Sequence, residues 1–125
     1  MKIFSVDEAN ALLPTVRDLL QQIQRAHNHL DSYQEKAKEA AEAAEQGGGG
    51  MTSGVQYAAM LMKLTTLMGE IEALGVQLKD FTRGLIDFPS LRDGRVVLLC
   101  WQLDEGDCVE YWHDVDAGFA GRTTL

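Results

Sequence analysis

Apolar or small residues recur at Val6, Ala9, Leu13, Val16, Leu20, Ile23, Leu30, Ala37, Ala41 and Ala44 in steps of three and four. His27 sits in the same series, and Gln34 alone falls off it. That spacing places them on one stripe of a long helix. Ser5 and Glu8 have the spacing of a capping box with Phe4 just outside it, so the helix is expected to begin at residue 6 and to run to 45. Pro14 cannot donate to the carbonyl of Asn10, which predicts a kink or short break near it. The end of the helix, "EKAKEAAEAAEQ", has only alanine to bury and reads as a thinly packed arm. A glycine connector over 46–51 follows, read as a turn or alternatively as a binding tip. A second helix is expected over 52–74, capped by Thr52 or Ser53, with its seam at Tyr57, Met60, Leu64, Leu67, Ile71 and Leu74. Gly75 before Val76 is a helix stop of the left-handed type.

Beyond Val76 the period becomes two. "GLIDFPS", "RVVLLCWQL" and "CVEYWHD" are rich in β-branched and aromatic residues and are separated by "RDGR" and "DEGD". Two-residue turns at Asp93-Gly94 and Glu105-Gly106 predict a three-stranded meander over 84–114, with "VQLKDF" a possible short segment before it. In that register Asp87 faces Cys100, Cys100 faces Tyr111, and Leu98 faces His113. Directly opposite side chains share a face. One face then carries Ile86, Phe88, Val97, Leu99, Trp101, Leu103 and Trp112, suited to lying on the helices. The other carries Leu85, Asp87, Leu98, Cys100, Gln102, Val109, Tyr111 and His113. Proline in "DFPS" must sit at an edge or beyond the ladder, and the first of these strands is at an edge of the expected meander. The expected fold is α+β in one domain, 1–125. A long antiparallel helical hairpin packs on the meander, and an ordered C-terminal loop over 115–125 closes it.

Composition narrows the partners. The chain has 125 residues, 46% of them hydrophobic, enough for one core. A formal charge of −8 without any Lys/Arg run disfavours nucleic acid and anionic membranes. The N-terminus lacks an apolar signal core, and the most apolar helix is interrupted by Lys63, Glu70 and Glu72, so a cytoplasmic protein is expected. Two cysteines, Cys100 and Cys108, are too few for a disulfide framework. An exposed seam on so long a hairpin predicts a homodimer or higher oligomer through the helices.

The chemistry-bearing residues gather late in the chain. Asp87, Cys100, Tyr111 and His113 on one sheet face have the residue types of a cysteine hydrolase or of an acid–base set, yet a mid-strand thiol is ordinarily an apolar filler. His113, Asp114 and Asp116 are candidate metal ligands, although an iron triad needs a second imidazole, and the other histidines, His27 and His29, lie in the first helix. In "DVDAGFAGR" the glycines Gly118 and Gly121, with Asp116 and Arg122, could bind an anion. The same loop could simply fold back, with Phe119 in the core and Arg122 paired to Asp87, Asp114 or Asp116. No cofactor is indicated by any of these patterns.

The segments "FSVDEANALLPTVRDLL", "ALGVQLKDFTRGLIDFPSLRDGRVVLLCWQL" and "YWHDVDAGFAGR" resemble a prokaryotic family of uncharacterised proteins, the domain of unknown function 2203. The resemblance spans nearly the whole chain apart from the Ala/Gly arm. Asp87, Phe88, Pro89, Cys100, Trp101, Trp112, His113, Asp116, Gly118, Phe119, Gly121 and Arg122 stand at its matching positions. It brings no activity, substrate or cofactor with it. Two functions from different classes therefore stand: a non-enzymatic, self-associating interaction or scaffold module, and a small-molecule or metal-dependent site, hydrolytic in one version, on the polar sheet face.

Overall fold

The computed structural model describes residues 1–45 and 53–125, and the side chains of all of these but 40, 44, 45 and 53. The glycine connector over 46–51, the capping role of Thr52 or Ser53 and the seam contact at Ala44 lie outside the described residues. Helix α1 spans Val6–Glu45 and α2 spans Ser53–Ala73. Strands follow at Gln77–Asp80 (β1), Leu85–Arg92 (β2), Arg95–Trp101 (β3), Tyr111–Asp114 (β4) and Thr123–Thr124 (β5), with a 3-10 turn at Phe119–Gly121 before the last.

The class is α+β. The sheet, however, has five antiparallel strands in the order β1-β2-β3-β4-β5 where three were expected. The two extra strands are short edges whose composition carries little periodicity. β1 is reached through the reversal at Gly75 and holds β2 only from Leu85 to Asp87, with an irregularity between Leu78 and Asp80. β5 forms because the segment after the 3-10 turn folds back on β4, pairing Thr123 with Trp112 and Thr124 with Tyr111. The segment beyond 114 is thus partly sheet.

The capping box forms in both directions. The Ser5 N–H donates to Glu8 Oε1 and the Glu8 N–H to Ser5 Oγ, each at 3.0 Å. α1 then continues through Pro14 without a break. Pro14 faces solvent, where water can satisfy the carbonyl that proline leaves without a donor. Ala9, Leu13, Val16, Leu20 and Ile23 are fully buried, and they join Leu67 and Ile71 of α2 and Ile86, Phe88, Leu99 and Trp101 of the sheet in one core. Farther out, Gln34 Nε2 donates to Tyr57 Oη at 3.1 Å. α2 ends in a Schellman motif: the Gly75 N–H reaches the Glu72 carbonyl, the Val76 N–H reaches that of Ile71, and Gly75 takes φ +87°. No helix among the described residues is long and apolar enough to cross a membrane.

Both halves of the expected register are present. β2 and β3 pair from Arg92 with Arg95 back to Ile86 with Trp101, around a turn whose Asp93 and Gly94 both take positive φ. β3 and β4 pair Cys100 with Tyr111, Leu99 with Trp112 and Leu98 with His113. The second connection is nevertheless not a tight turn. The ladder stops at Trp101, and residues 102–110 make a wider excursion toward α1. The Trp101 indole donates to the Gly106 carbonyl at 2.9 Å, Arg17 bonds the same carbonyl and Asp107, and the Val109 N–H donates to Asn10 Oδ1 at 2.7 Å. This excursion turns Val109 into the core, not onto the polar face where strict alternation would put it.

Pro89 lies within a paired strand, and β2 is not an edge strand over its first half. Beyond Asp87, however, β1 has ended and the N-terminal segment takes its place. The Phe4 N–H donates to the Pro89 carbonyl at 2.7 Å, Ser90 Oγ donates to the Phe4 carbonyl at 2.6 Å, and the Phe4 and Phe88 rings meet edge to face at 5.3 Å. A strand residue's N and O point the same way, so the hydrogen that proline lacks is missing on the Phe4 side and no β2–β3 bond is lost. Ser90→Ala leaves a buried carbonyl without its donor and is expected to destabilise the fold by about 1–3 kcal/mol. Urea unfolding monitored by tryptophan fluorescence measures this, and an unchanged midpoint would show that the N-terminal clasp contributes nothing.

Candidate functional site

The sheet face turned away from the helices holds the polar residues. Asp87 on β2 and Cys100 on β3 are direct partners, and His113 on β4 lies beside Leu98, two residues along β3 from Cys100. All three are at least 97% removed from solvent. His113 Nε2 is 3.1 Å from Asp87 Oδ1, and His113 Nδ1 is 2.8 Å from the carbonyl of Asp114. Among the described residues, Asp87, Cys100 and His113 form a cluster whose donor atoms all lie within 4.8 Å of one another.

These residues form the floor of a cavity of about 170 Å³, with Leu85 and Leu98 beside them, Lys79 at its outer side, and Val115, Gly118 and Phe119 from the C-terminal segment. The segment is held over the face by the pairing of β5 with β4, by cation–π stacking and by one ion pair. The Arg122 guanidinium lies 4.0 Å from the Tyr111 ring centroid and 4.5 Å from that of Phe119, while Arg83 covers Phe119 at 4.2 Å. Arg122 Nη2 donates to both carboxylate oxygens of Glu105 at 2.6 and 2.7 Å. Gly118 has φ +69°, a backbone conformation that a side chain would strain, and it turns the chain so that Phe119 reaches inward.

The residues singled out in the sequence divide accordingly. Asp87, Cys100 and His113 converge. Tyr111 is half-buried beneath Arg122 and does not line the cavity. Arg122 pairs with Glu105, not with Asp87, Asp114 or Asp116. The Asp114 carboxylate is exposed and pairs with Arg95 at 3.0 Å, and Asp116 is exposed in the following turn, so neither carboxylate lies beside the His113 ring nitrogens. Gly118 lines the cavity, while Gly121 sits in the 3-10 turn with no room for a side chain against Ala117. His27 lies against Phe81 and Asp31, away from this face. Sequence reasoning missed Glu105, hidden in what reads as a turn dipeptide, and Lys79, hidden in a strand too short to show a pattern.

Electrostatics assign Cys100 its form. Burial, reinforced by the neighbouring Asp87 carboxylate, pushes its thiol from 9.0 up to about 12. Without a further cation beside it, Cys100 is therefore a neutral thiol and no nucleophile. Cys108 is exposed. One thiol is expected to react with iodoacetamide in the native protein and two after denaturation, with peptide mapping placing the native adduct on Cys108. Native modification of Cys100 at a comparable rate would contradict the buried thiol. The folded state also binds more protons than the unfolded state between pH 9.0 and about 12, so this thiol makes stability fall as pH rises through that window.

No curated protein and no solved structure matches the chain. The model of an uncharacterised conserved family, DUF2203, matches residues 2–125, and the chain belongs to that family.

Proposed function

We propose that the protein works by binding a small polar ligand in the cavity between the sheet and its C-terminal segment. One observation carries the reading: Asp87, Cys100 and His113 are buried together at the wall of a cavity and not within packed apolar side chains. Burying such groups costs stability, and a fold that needed only closure could place apolar residues there at no loss. The cavity is about the size of one that admits a benzene ring, which sets the ligand at roughly six non-hydrogen atoms. Its floor supplies donors and acceptors, its walls are aliphatic and aromatic, and Lys79 favours an anionic group at the outer side. Arg122 is not the anion clamp, because Glu105 already neutralises it.

Metal-free, 15N-labelled protein exposed to a panel of small carboxylates, amides and azoles is expected to show amide shifts at Leu98, Cys100, His113 and Phe119. Leu98→Phe, which fills the cavity, is expected to abolish them. Amides that stay put in the native protein, or shift equally in the filled variant, would refute the site.

A second reading, a self-associating module, is supported by α2. Val55, Leu61, Met62 and Met68 are exposed on it, and Lys63 is the sole charged residue between Ser53 and Gly69. In a chain of net charge −8, a nearly neutral apolar surface can meet its own copy without the repulsion carried elsewhere. Sedimentation velocity at micromolar concentration is expected to show a dimer or higher oligomer that Met62→Glu dissociates. A strict monomer would remove this reading and leave the cavity untouched.

A further inference from the structure

We infer that Asp87, Cys100 and His113 are three ligands of a thiophilic divalent metal ion of the zinc class, with the fourth coordination position open to the cavity. The inference rests on the cavity being a ligand site, because that open position is where a ligand would enter.

The first support is hydrogen-bond logic at His113. A carbonyl oxygen can only accept, so the contact of Nδ1 with the Asp114 carbonyl puts the ring hydrogen on Nδ1. The neutral ring then presents the lone pair of Nε2 to Asp87 Oδ1, itself an acceptor, at 3.1 Å, too close for a water to stand between them. Two acceptors face to face require a cation between them, either a proton or a metal ion. A backbone carbonyl on one imidazole nitrogen, leaving the other free, is also the arrangement that orients metal-bound histidines.

The second support decides between the two cations. The same locus holds the Cys100 sulfur, with all three donor atoms within 4.8 Å of one another. With a proton between Nε2 and Oδ1, the thiol is left only a weak hydrogen bond to the Asp87 carboxylate. A metal ion uses all three. Bonds of about 2.0–2.3 Å at tetrahedral angles would hold the ligand atoms roughly 3.3–3.8 Å apart. The widest separation therefore needs to close by only about 1 Å, within reach of side-chain rotation on three hydrogen-bonded strands. Thiolate, imidazole and carboxylate together select zinc-like ions over magnesium or calcium, which take oxygen ligands. Three protein ligands with one open position is the pattern of a site that binds an exogenous group, as opposed to a closed structural centre. Metal binding displaces both the proton between Nε2 and Oδ1 and that of the Cys100 thiol, so two protons pass to the solvent per ion bound.

The test uses the full chain, stripped with a chelator and titrated with Co2+. One equivalent is expected to give a sulfur-to-cobalt charge-transfer band in the near ultraviolet and strong visible bands of a four-coordinate ion, both erased by Zn2+. Cys108→Ser should keep the bands. Cys100→Ser should lose the charge-transfer band while retaining the native circular dichroism, and His113→Gln should weaken Zn2+ binding by at least tenfold. Absence of the band in the native protein, or its loss in Cys108→Ser and survival in Cys100→Ser, would overturn the inference. Should the band be absent while fragments still shift the cavity amides, the metal fails and the ligand site stands. Should Cys100-dependent bands appear while no fragment enters, the metal stands and the small-molecule reading fails.

Discussion

The two-residue turn at Asp93-Gly94 sets how the side chains of β2 and β3 are shared between the two sides of the sheet. With both residues at positive φ it pairs Arg92 with Arg95, and the pleat then sends Ile86, Phe88, Leu99 and Trp101 toward the helices and Asp87, Leu98 and Cys100 away from them. A slip of one residue would turn β3 over relative to β2, sending Cys100 into the helix-facing core and Leu99 to the outer surface while Asp87 and Phe88 kept their sides. Core burial and the placement of the polar cluster are consequences of the same register, so neither can change without the other.

The outer face would be a liability without its cover. Leu85, Leu98 and the buried polar trio would meet solvent if the segment from Val115 onward were absent. That segment contributes little aliphatic burial and is fastened by a stack of Tyr111, Arg122, Phe119 and Arg83, with Glu105 neutralising Arg122. Planar cations between aromatic rings suit such a closure. They bury large flat surfaces while leaving polar edges free to bond to the excursion over 102–110. The cover of the cavity therefore depends on Glu105, a residue outside the cavity.

Much of this was legible from residue order. Capping residues, the helical seams, the Schellman stop and the strand registers follow from local chemistry, and parity alone placed Asp87, Cys100 and His113 on one face. What escaped were features decided by contacts distant in sequence. Val109 leaves its expected face because Asn10 in α1 holds its N–H. Glu105 reads as a turn residue because nothing local marks it as the partner of Arg122. Pro89 reads as a sign of an edge, and it is tolerated within the sheet because its missing N–H faces the side where β1 has ended, where Ser90 Oγ donates to the Phe4 carbonyl instead. β1 and β5 were obscure because a few residues carry too little periodicity to distinguish a short strand from a loop.

The clasp between Phe4 and the Pro89–Ser90 stretch bears on the order in which the chain can fold during synthesis. Phe4 and Ser90 are separated by 86 positions, so the segment leading into α1 emerges from the ribosome long before its partner strand exists. α1 can wind early from local contacts, but the buried faces of Phe4, Ala9 and Leu13 must wait for β2 and β3. Until then the helix presents an apolar stripe to the cell, and its completion is a late, long-range event, not a local one.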